Sequence, residues 1–196
     1  MKHILIMLAL FTCTQAAFSQ SSFTMSYPIS FPVGDLNEYI SQTSFRGFIL
    51  EWYKRQKPNV DIGLETGWLV FYQREDSKVY TEGTASISGV QYRYTNSVPI
   101  LAAAKFYKLS DNKTTEPYIG LGIGTLYANR STDFGLYRIE NDAWQFLLRP
   151  ELGIQIKMQN GVSALVAAKY YAAFGNSDLA GQSFLSLNFG FVFHAF

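Results

Sequence analysis

The sequence alternates apolar and polar side chains over segments that are long for β-strands, and this pattern restricts its folds more than any other feature. From Trp144 to Met158 every second residue is apolar, while most intervening positions carry polar side chains or glycine. Residues 60–72 alternate in the same way. Because successive side chains of a strand point to opposite faces, the pattern predicts strands with one apolar face and one polar face.

No apolar run after residue 19 is long enough to form a transmembrane helix. Apolar residues make up 48% of the chain, yet the mean hydropathy is only +0.02, as expected when they are interleaved with polar ones. Only helices and closed β-barrels satisfy every backbone N–H and C=O group in hydrocarbon. A chain of this kind that enters a membrane is therefore expected to do so as a closed barrel.

The alternating segments number eight, and their connections differ in length. The predicted strands cover residues 23–33, 44–55, 60–72, 97–109, 116–128, 143–158, 161–173 and 183–195. Short turns at 56–59, 110–115 and 159–161 alternate along the chain with longer loops at 34–43, 73–96, 129–142 and 174–182. Short turns on one side and long loops on the other are typical of outer-membrane barrels. The prediction is an all-β, eight-stranded, antiparallel, up-and-down transmembrane β-barrel.

The N-terminus has the features of a secretory signal peptide. Lys2 and His3 are followed by an apolar stretch at 4–11 and by small residues at Ala17 and Ser19. We therefore predict a cleaved signal peptide over residues 1–19 and a barrel domain over residues 20–196. Cys13 is the only cysteine, so the mature chain offers no disulfide, thiolate nucleophile or cysteine metal ligand.

Four sequence segments resemble a known family. They are Ala17-Phe18-Ser19-Gln20, Phe31-Pro32-Val33-Gly34-Asp35, Tyr118-Ile119-Gly120-Leu121-Gly122-Ile123-Gly124, and Phe189-Gly190-Phe191-Val192-Phe193 with Phe196. The sequence is similar to the small outer-membrane β-barrel proteins of Bacteroidetes-type Gram-negative bacteria, which are related in architecture to the transmembrane domain of OmpA and to OmpX and OmpW. The resemblance implies a location in the bacterial outer membrane, contact with its lipids and lipopolysaccharide, and insertion by the barrel-assembly machinery.

The last predicted strand carries a candidate assembly signal, consisting of Phe189, Phe191, Phe193 and Phe196. The first three share one face, whereas Phe196 is out of phase by one residue.

The net charge of +1 gives no indication of a nucleic-acid partner, and we expect a monomer.

The polar strand faces carry six ionisable residues that should point into the lumen, namely Glu51, Glu65, Lys105, Arg149, Glu151 and Lys169. An eight-stranded barrel is just wide enough for side chains to fill its interior, where an unpaired charge is costly. We predict a lumen network of ion pairs, and a gated pore or proton path is the alternative.

Aromatic residues near the predicted strand ends form a candidate girdle at the two membrane interfaces. They are Trp52, Trp68, Phe71, Tyr72, Tyr107, Tyr127, Trp144 and Tyr170. A platform that stacks carbohydrate rings is the alternative role for them.

No pattern in the sequence predicts catalysis or a bound cofactor or metal. Gly120, Gly122 and Gly124 resemble a dinucleotide fingerprint, but the sequence continues as strand where that motif needs a helix. They share one face, so they are expected to make room for large lumen side chains. His194 is the only histidine after the signal and lies at the predicted periplasmic rim, so no Ser–His pair is expected on the outer side.

The predicted function is structural or surface-binding, through an extracellular partner at loops 73–96 and 129–142. The second half of loop 73–96 alternates again, so it should extend its hairpin above the membrane and offer an edge for strand addition. One alternative is an OmpW-like porin or transporter for small, hydrophobic molecules. Another is a secreted, lipocalin-like barrel that holds an apolar ligand, which requires apolar side chains inside and charged ones outside.

Overall fold

The computed structural model describes residues 21–82, 85–108, 114–135, 137–158 and 160–194, with side chains for all of these except 77–82 and 85–88. The predicted signal peptide and Phe196 lie outside the described residues.

Eight strands form one closed antiparallel barrel in which each strand pairs with the next and β1 pairs with β8. The strands are β1 Ser21–Pro32, β2 Gly47–Lys57, β3 Val60–Glu82, β4 Ala85–Tyr107, β5 Thr115–Phe134, β6 Tyr137–Lys157, β7 Val162–Phe174 and β8 Phe184–His194. One short helix, α1, covers Asp35–Tyr39. The predicted fold class is confirmed. Within the described residues, no helix is long and apolar enough to span a membrane.

The alternating pattern places apolar side chains on the outside of the barrel and polar ones inside. On β6, Leu152 is 64% exposed on the outer wall, whereas its neighbours along the interior face, Arg149 and Glu151, are 0% and 3% exposed. The outer wall also carries exposed Ile62, Leu64, Ile119, Leu121, Ile123, Phe189, Phe191 and Phe193. A lipocalin-like barrel needs the opposite arrangement, so the structure contradicts that alternative.

One short turn shows why the chain reverses where the sequence indicates. Asn160 and Gly161 both have positive φ angles, 63° and 73°. This left-handed conformation reverses the chain within a short β-hairpin loop, and asparagine and glycine adopt it most easily. Met158 N donates a 2.9 Å hydrogen bond to Val162 O and closes the turn.

The predicted loops 73–96 and 129–142 consist mostly of paired strand, and the predicted extension of the 73–96 hairpin beyond the barrel is confirmed. β2 stops pairing with β3 at Gly47 opposite Leu69, and β7 stops pairing with β6 at Phe174 opposite Phe146. Beyond that level β3 to β6 continue as a four-stranded extension, here called the projecting sheet, formed by residues 70–82, 85–96, 129–134 and 137–142. Its longest strand rises about 40 Å along its own axis. In residues 129–133 of this sheet, polar side chains on both faces hide the strand alternation in the sequence.

Glycines on inward faces leave space for large interior side chains. A Cβ atom on Gly122 would lie 3.2 Å from Nε of Arg149, and one on Gly153 would lie 2.4 Å from Cζ of Tyr118. Tyr118 has little room to move away because its hydroxyl donates a 2.6 Å hydrogen bond to Glu151 and its side chain is buried.

Replacing Gly153 with valine should therefore destabilise the barrel by about 1–3 kcal/mol, the usual effect of overpacking a filled interior. The matched control is Gly89→Val, because a Cβ atom on Gly89 meets nothing within 4 Å. Urea unfolding of both variants in detergent micelles measures the difference. Equal unfolding midpoints for the two variants would show that the interior near Tyr118 is not packed as described.

Candidate functional site

The six ionisable residues predicted for the lumen meet in one layer across the middle of the barrel. Lys105 Nζ lies 2.9 Å from Glu51 Oε2 and 3.6 Å from Glu151 Oε1. Arg149 Nη2 lies 2.9 Å from Glu65 Oε2, and Arg149 also pairs with Glu151. Lys169 Nζ lies 2.8 Å from Glu65 Oε2 and pairs with Glu51. Each acid therefore contacts two bases, and each base contacts two acids.

This layer is electrically balanced, because three carboxylates face three cations. Carboxylate oxygens of Glu51, Glu65 and Glu151 lie within 4.8 Å of one another, a spacing that otherwise suits a metal ion. Lys105, Arg149 and Lys169 already supply the positive charge that such an ion would bring. All six side chains are at most 3% exposed, so they fill the lumen at this level.

Three tyrosines complete the layer, and sequence reasoning missed all of them. Tyr171 OH donates a 2.7 Å hydrogen bond to Glu65 Oε1, as Tyr118 OH does to Glu151. Tyr53 accepts a 3.4 Å hydrogen bond from Arg149, and its ring centroid lies 4.2 Å from Lys105 Nζ. They could have been identified from their spacing, because residues two positions apart on a strand point to the same face. Tyr53 lies two residues from Glu51, and Tyr171 lies two residues from Lys169, on the same inward faces.

The barrel end that carries the short turns contains a cavity of about 460 Å³. Its lining includes Arg55 and Asp61, which pair at 2.5 Å, and Ser163 and His194, whose Oγ and Nε2 atoms lie 3.1 Å apart.

The girdle assignment of Tyr107 is wrong, because its side chain points into this end of the barrel. It is 8% exposed, its hydroxyl accepts a 2.9 Å hydrogen bond from Gln155, and Arg55 lies 4.8 Å from its ring centroid. Phe71 is also interior, fully buried against Phe184 with ring centroids 5.2 Å apart.

The opposite end of the barrel is closed by an apolar cap. Helix α1 places Leu36, and the residue after the helix places Ile40, in a buried cluster with Leu179 of the 175–183 segment. Gln145 holds that segment by donating hydrogen bonds of 3.1 and 2.8 Å to the carbonyl oxygens of Leu179 and Ala180. The predicted loops 34–43 and 174–182 thus serve as a lid over the lumen.

Tyr39 fastens α1 to the projecting sheet. Its ring centroid lies 4.0 Å from Arg130 Cζ and 5.2 Å from Arg93 Cζ, and its hydroxyl donates a 2.9 Å hydrogen bond to Ser131 O. Arg93 Nη1 also donates to Tyr39 O at 2.9 Å. Burial raises the pKa of Tyr39 above its usual value, so the hydroxyl keeps its proton and the hydrogen bond that depends on it.

The remaining predicted girdle residues point outward, and their interfacial role stays a prediction. They are Trp52, Trp68, Tyr72, Tyr127, Trp144 and Tyr170. Tyr127 lies opposite Trp144 with ring centroids 5.1 Å apart, just below the projecting sheet, whereas Tyr72 belongs to that sheet.

Three phenylalanines of the candidate assembly signal also face outward. Phe189, Phe191 and Phe193 are 45%, 51% and 47% exposed, while Phe196 lies outside the described residues.

Removing one charge from the interior layer should be strongly destabilising. Arg149→Met leaves Glu65 and Glu151 with one cation fewer in a buried setting, where an uncompensated charge costs about 3–5 kcal/mol. The control is Arg138→Met, which breaks the exposed 2.7 Å pair with Asp133 and should have little effect. Urea unfolding midpoints in detergent compare the two. Similar midpoints would contradict the interior network.

No protein-family model matches the sequence, and no curated protein is similar to it at a significant level. Solved structures, in contrast, match along nearly the whole chain. Neisserial surface protein A has a TM-score of 0.58 at 12% identity, with 90% of this chain and 97% of that chain covered. Ail, the attachment invasion locus protein of Yersinia pestis, in complex with the heparin analogue sucrose octasulfate, has a TM-score of 0.53 at 13% identity, covering 89% and 97%.

The outer membrane protein OprG from Pseudomonas aeruginosa has a TM-score of 0.50 at 14% identity, covering 90% of this chain and 97% of that chain. At these identities the likeness concerns the fold, and it agrees with the closed eight-strand topology and the apolar outer wall. The chain is therefore a small eight-stranded β-barrel with the fold of outer-membrane proteins.

Proposed function

We propose that the protein resides in the bacterial outer membrane and acts by binding partners at the cell surface through its projecting sheet. The termini and short turns face the periplasm in this proposal, and the sheet faces the medium. The observation that carries the proposal is the contrast between a filled, capped lumen and four strands that rise beyond the barrel wall.

The apolar outer wall supports the membrane location. Exposed side chains such as Leu64, Leu121 and Leu152 would be unfavourable in water but are matched by hydrocarbon. The solved structures with this fold come from outer-membrane proteins, which supports the same location.

The filled lumen favours surface binding over an OmpW-like transport role. A solute that passes through the barrel would have to displace the balanced ion-pair layer and then the cap formed by Leu36, Ile40 and Leu179. The structure of Ail gives independent support for a binding role, because that protein was solved in complex with the heparin analogue sucrose octasulfate.

We also propose that the protein is not an enzyme. The pair formed by Ser163 and His194 lies at the end with the short turns. Among the described residues, no carboxylate hydrogen-bonds the second ring nitrogen of His194, although a catalytic serine–histidine pair normally relies on such an orienting group.

The membrane location predicts heat-modifiable migration. Full-length protein expressed in a Gram-negative host should enter the outer-membrane fraction and migrate differently on a denaturing gel before and after boiling, because a folded barrel resists the detergent until heated. A soluble periplasmic protein with no migration shift would contradict the proposed location.

The surface role predicts that shortening the hairpin abolishes binding without affecting folding. Replacing residues 76–90 with Asn-Gly leaves the paired residues Glu75 and Gln91 next to a two-residue turn. Cells that display the shortened chain should lose the adherence to epithelial monolayers that full-length protein confers, and should keep the heat shift.

The control for this experiment is Lys57→Ala, a substitution of an exposed side chain at the last residue of β2, at the end with the short turns, that leaves the projecting sheet intact. The proposal fails if the full-length chain confers no adherence, or if the shortened chain adheres equally well while remaining folded.

A further inference from the structure

We propose that a small cavity on the outer side of the barrel mouth binds a saccharide that carries an acidic group. The inference rests on the proposed surface function and names a ligand class for it. The cavity measures about 180 Å³ and lies between the segment that leads into β2 and the first residues of β3 in the projecting sheet. It is lined by Gln42, Thr43, Ser44, Phe45, Arg46, Val70 and Tyr72.

Among the residues that the structure describes, no acidic side chain pairs with Arg46 at this cavity. The Arg46 guanidinium carbon lies 5.2 Å from the ring centroid of Tyr72, and the side chain is exposed. Within the described part of the chain, its guanidinium takes part in no ion pair or hydrogen bond, in contrast to Arg55 and Arg138, which each pair with an aspartate. A guanidinium held in this way presents a planar set of N–H donors that suits a carboxylate, phosphate or sulfate group.

Aromatic rings continue from the cavity wall across the outer face of the projecting sheet. The ring centroid of Tyr72 lies 5.0 Å from that of Tyr94 and 6.5 Å from that of Tyr92, with the latter pair nearly parallel. The electron-rich face of an aromatic ring attracts weakly positive C–H groups, which line one face of a sugar ring. The three tyrosines therefore form a surface on which successive sugar rings can stack.

The polar lining fits sugar hydroxyl groups better than a purely apolar ligand. The side-chain amide of Gln42 and the hydroxyl of Thr43 make no hydrogen bond to any residue that the structure describes, whereas Ser44 is already engaged with Val70 O. An amide and a hydroxyl beside an aromatic ring and a cation together match an acidic saccharide. Such a ligand has two sources, the saccharide of lipopolysaccharide in the same membrane and a glycan from another surface.

The test uses the full mature chain in phospholipid nanodiscs free of lipopolysaccharide. Isothermal titration calorimetry compares a sulfated disaccharide with its unsulfated parent. The sulfated sugar should bind more tightly, and Arg46→Gln should weaken it about tenfold, to the level of the parent. Tyr72→Ala should weaken both sugars, because it removes the stacking surface. Arg138→Gln and Tyr137→Ala are controls of the same residue types, and both should bind like the unaltered protein.

A second arm separates the two sources of ligand. In nanodiscs that contain lipopolysaccharide with a complete core saccharide, a weakened titration by the soluble sugar identifies the membrane's own saccharide as the occupant. An unchanged titration identifies a glycan from elsewhere.

The inference is overturned if neither sugar binds, or if Arg46→Gln and Arg138→Gln behave alike. Heat-modifiable migration of every variant shows that a lost titration is not a folding defect. If adherence still depends on the hairpin while neither sugar binds, the proposed surface function is supported and only the proposed saccharide ligand is rejected.

Discussion

The pairing of three acids with three bases inside the barrel is the interaction on which the rest of the structure depends. Ionised groups this far from water are tolerated only when each has a partner of opposite charge and further hydrogen bonds. Arg149 connects Glu65 with Glu151, and the hydroxyls of Tyr118 and Tyr171 satisfy additional carboxylate oxygens. With the tyrosines, the layer links β2 to β7 across the lumen and fills a space whose width is set by the number and stagger of the strands.

Because side chains fill the middle of the lumen, the cavities that could hold a ligand lie near the two ends of the barrel. At the end with the short turns, the structure leaves an open cavity of about 460 Å³. At the other end, α1 and the 175–183 segment seal the interior, and Tyr39 joins that seal to the projecting sheet through Arg130 and Arg93. The sheet is thus held to a closed barrel, which suits the surface role that we propose for it.

The strand faces could be predicted from the sequence because alternation is strongest where one face meets an apolar environment. Residues 144–158 are the example, with Leu152 outside and Arg149 inside. The same alternation places Tyr107 inside, because it lies two residues from Lys105 and shares its inward face. It also places Phe71 inside, two residues from the buried Leu69. Both were wrongly assigned to the girdle because they lie near strand ends, where interfacial aromatic residues are common.

The ends of the strands and the cap could not be predicted in this way. Polar side chains such as Arg74 and Glu75 occur on both faces of residues 73–76, and residues 129–133 are polar on both faces as well. Hydrophobic alternation is therefore lost in these segments while backbone pairing continues, and it returns only in residues 86–95. Helix α1 has only five residues, too few for a helical period to be visible in sequence. Its role depends on Leu36 packing against distant residues, which local sequence does not encode.

The most direct test of this account is the environment of successive side chains along β6 in a lipid bilayer. Apart from Cys13 in the predicted signal peptide the chain has no cysteine, so single cysteines at 147, 148, 152 and 155 can each carry an environment-sensitive fluorophore. The account predicts quenching by lipid-soluble quenchers at 148 and 152, and protection at the inward positions 147 and 155. Quenching that does not alternate, or labels at 148 and 152 that meet water, would contradict a barrel with its charges inside and its apolar wall in the membrane.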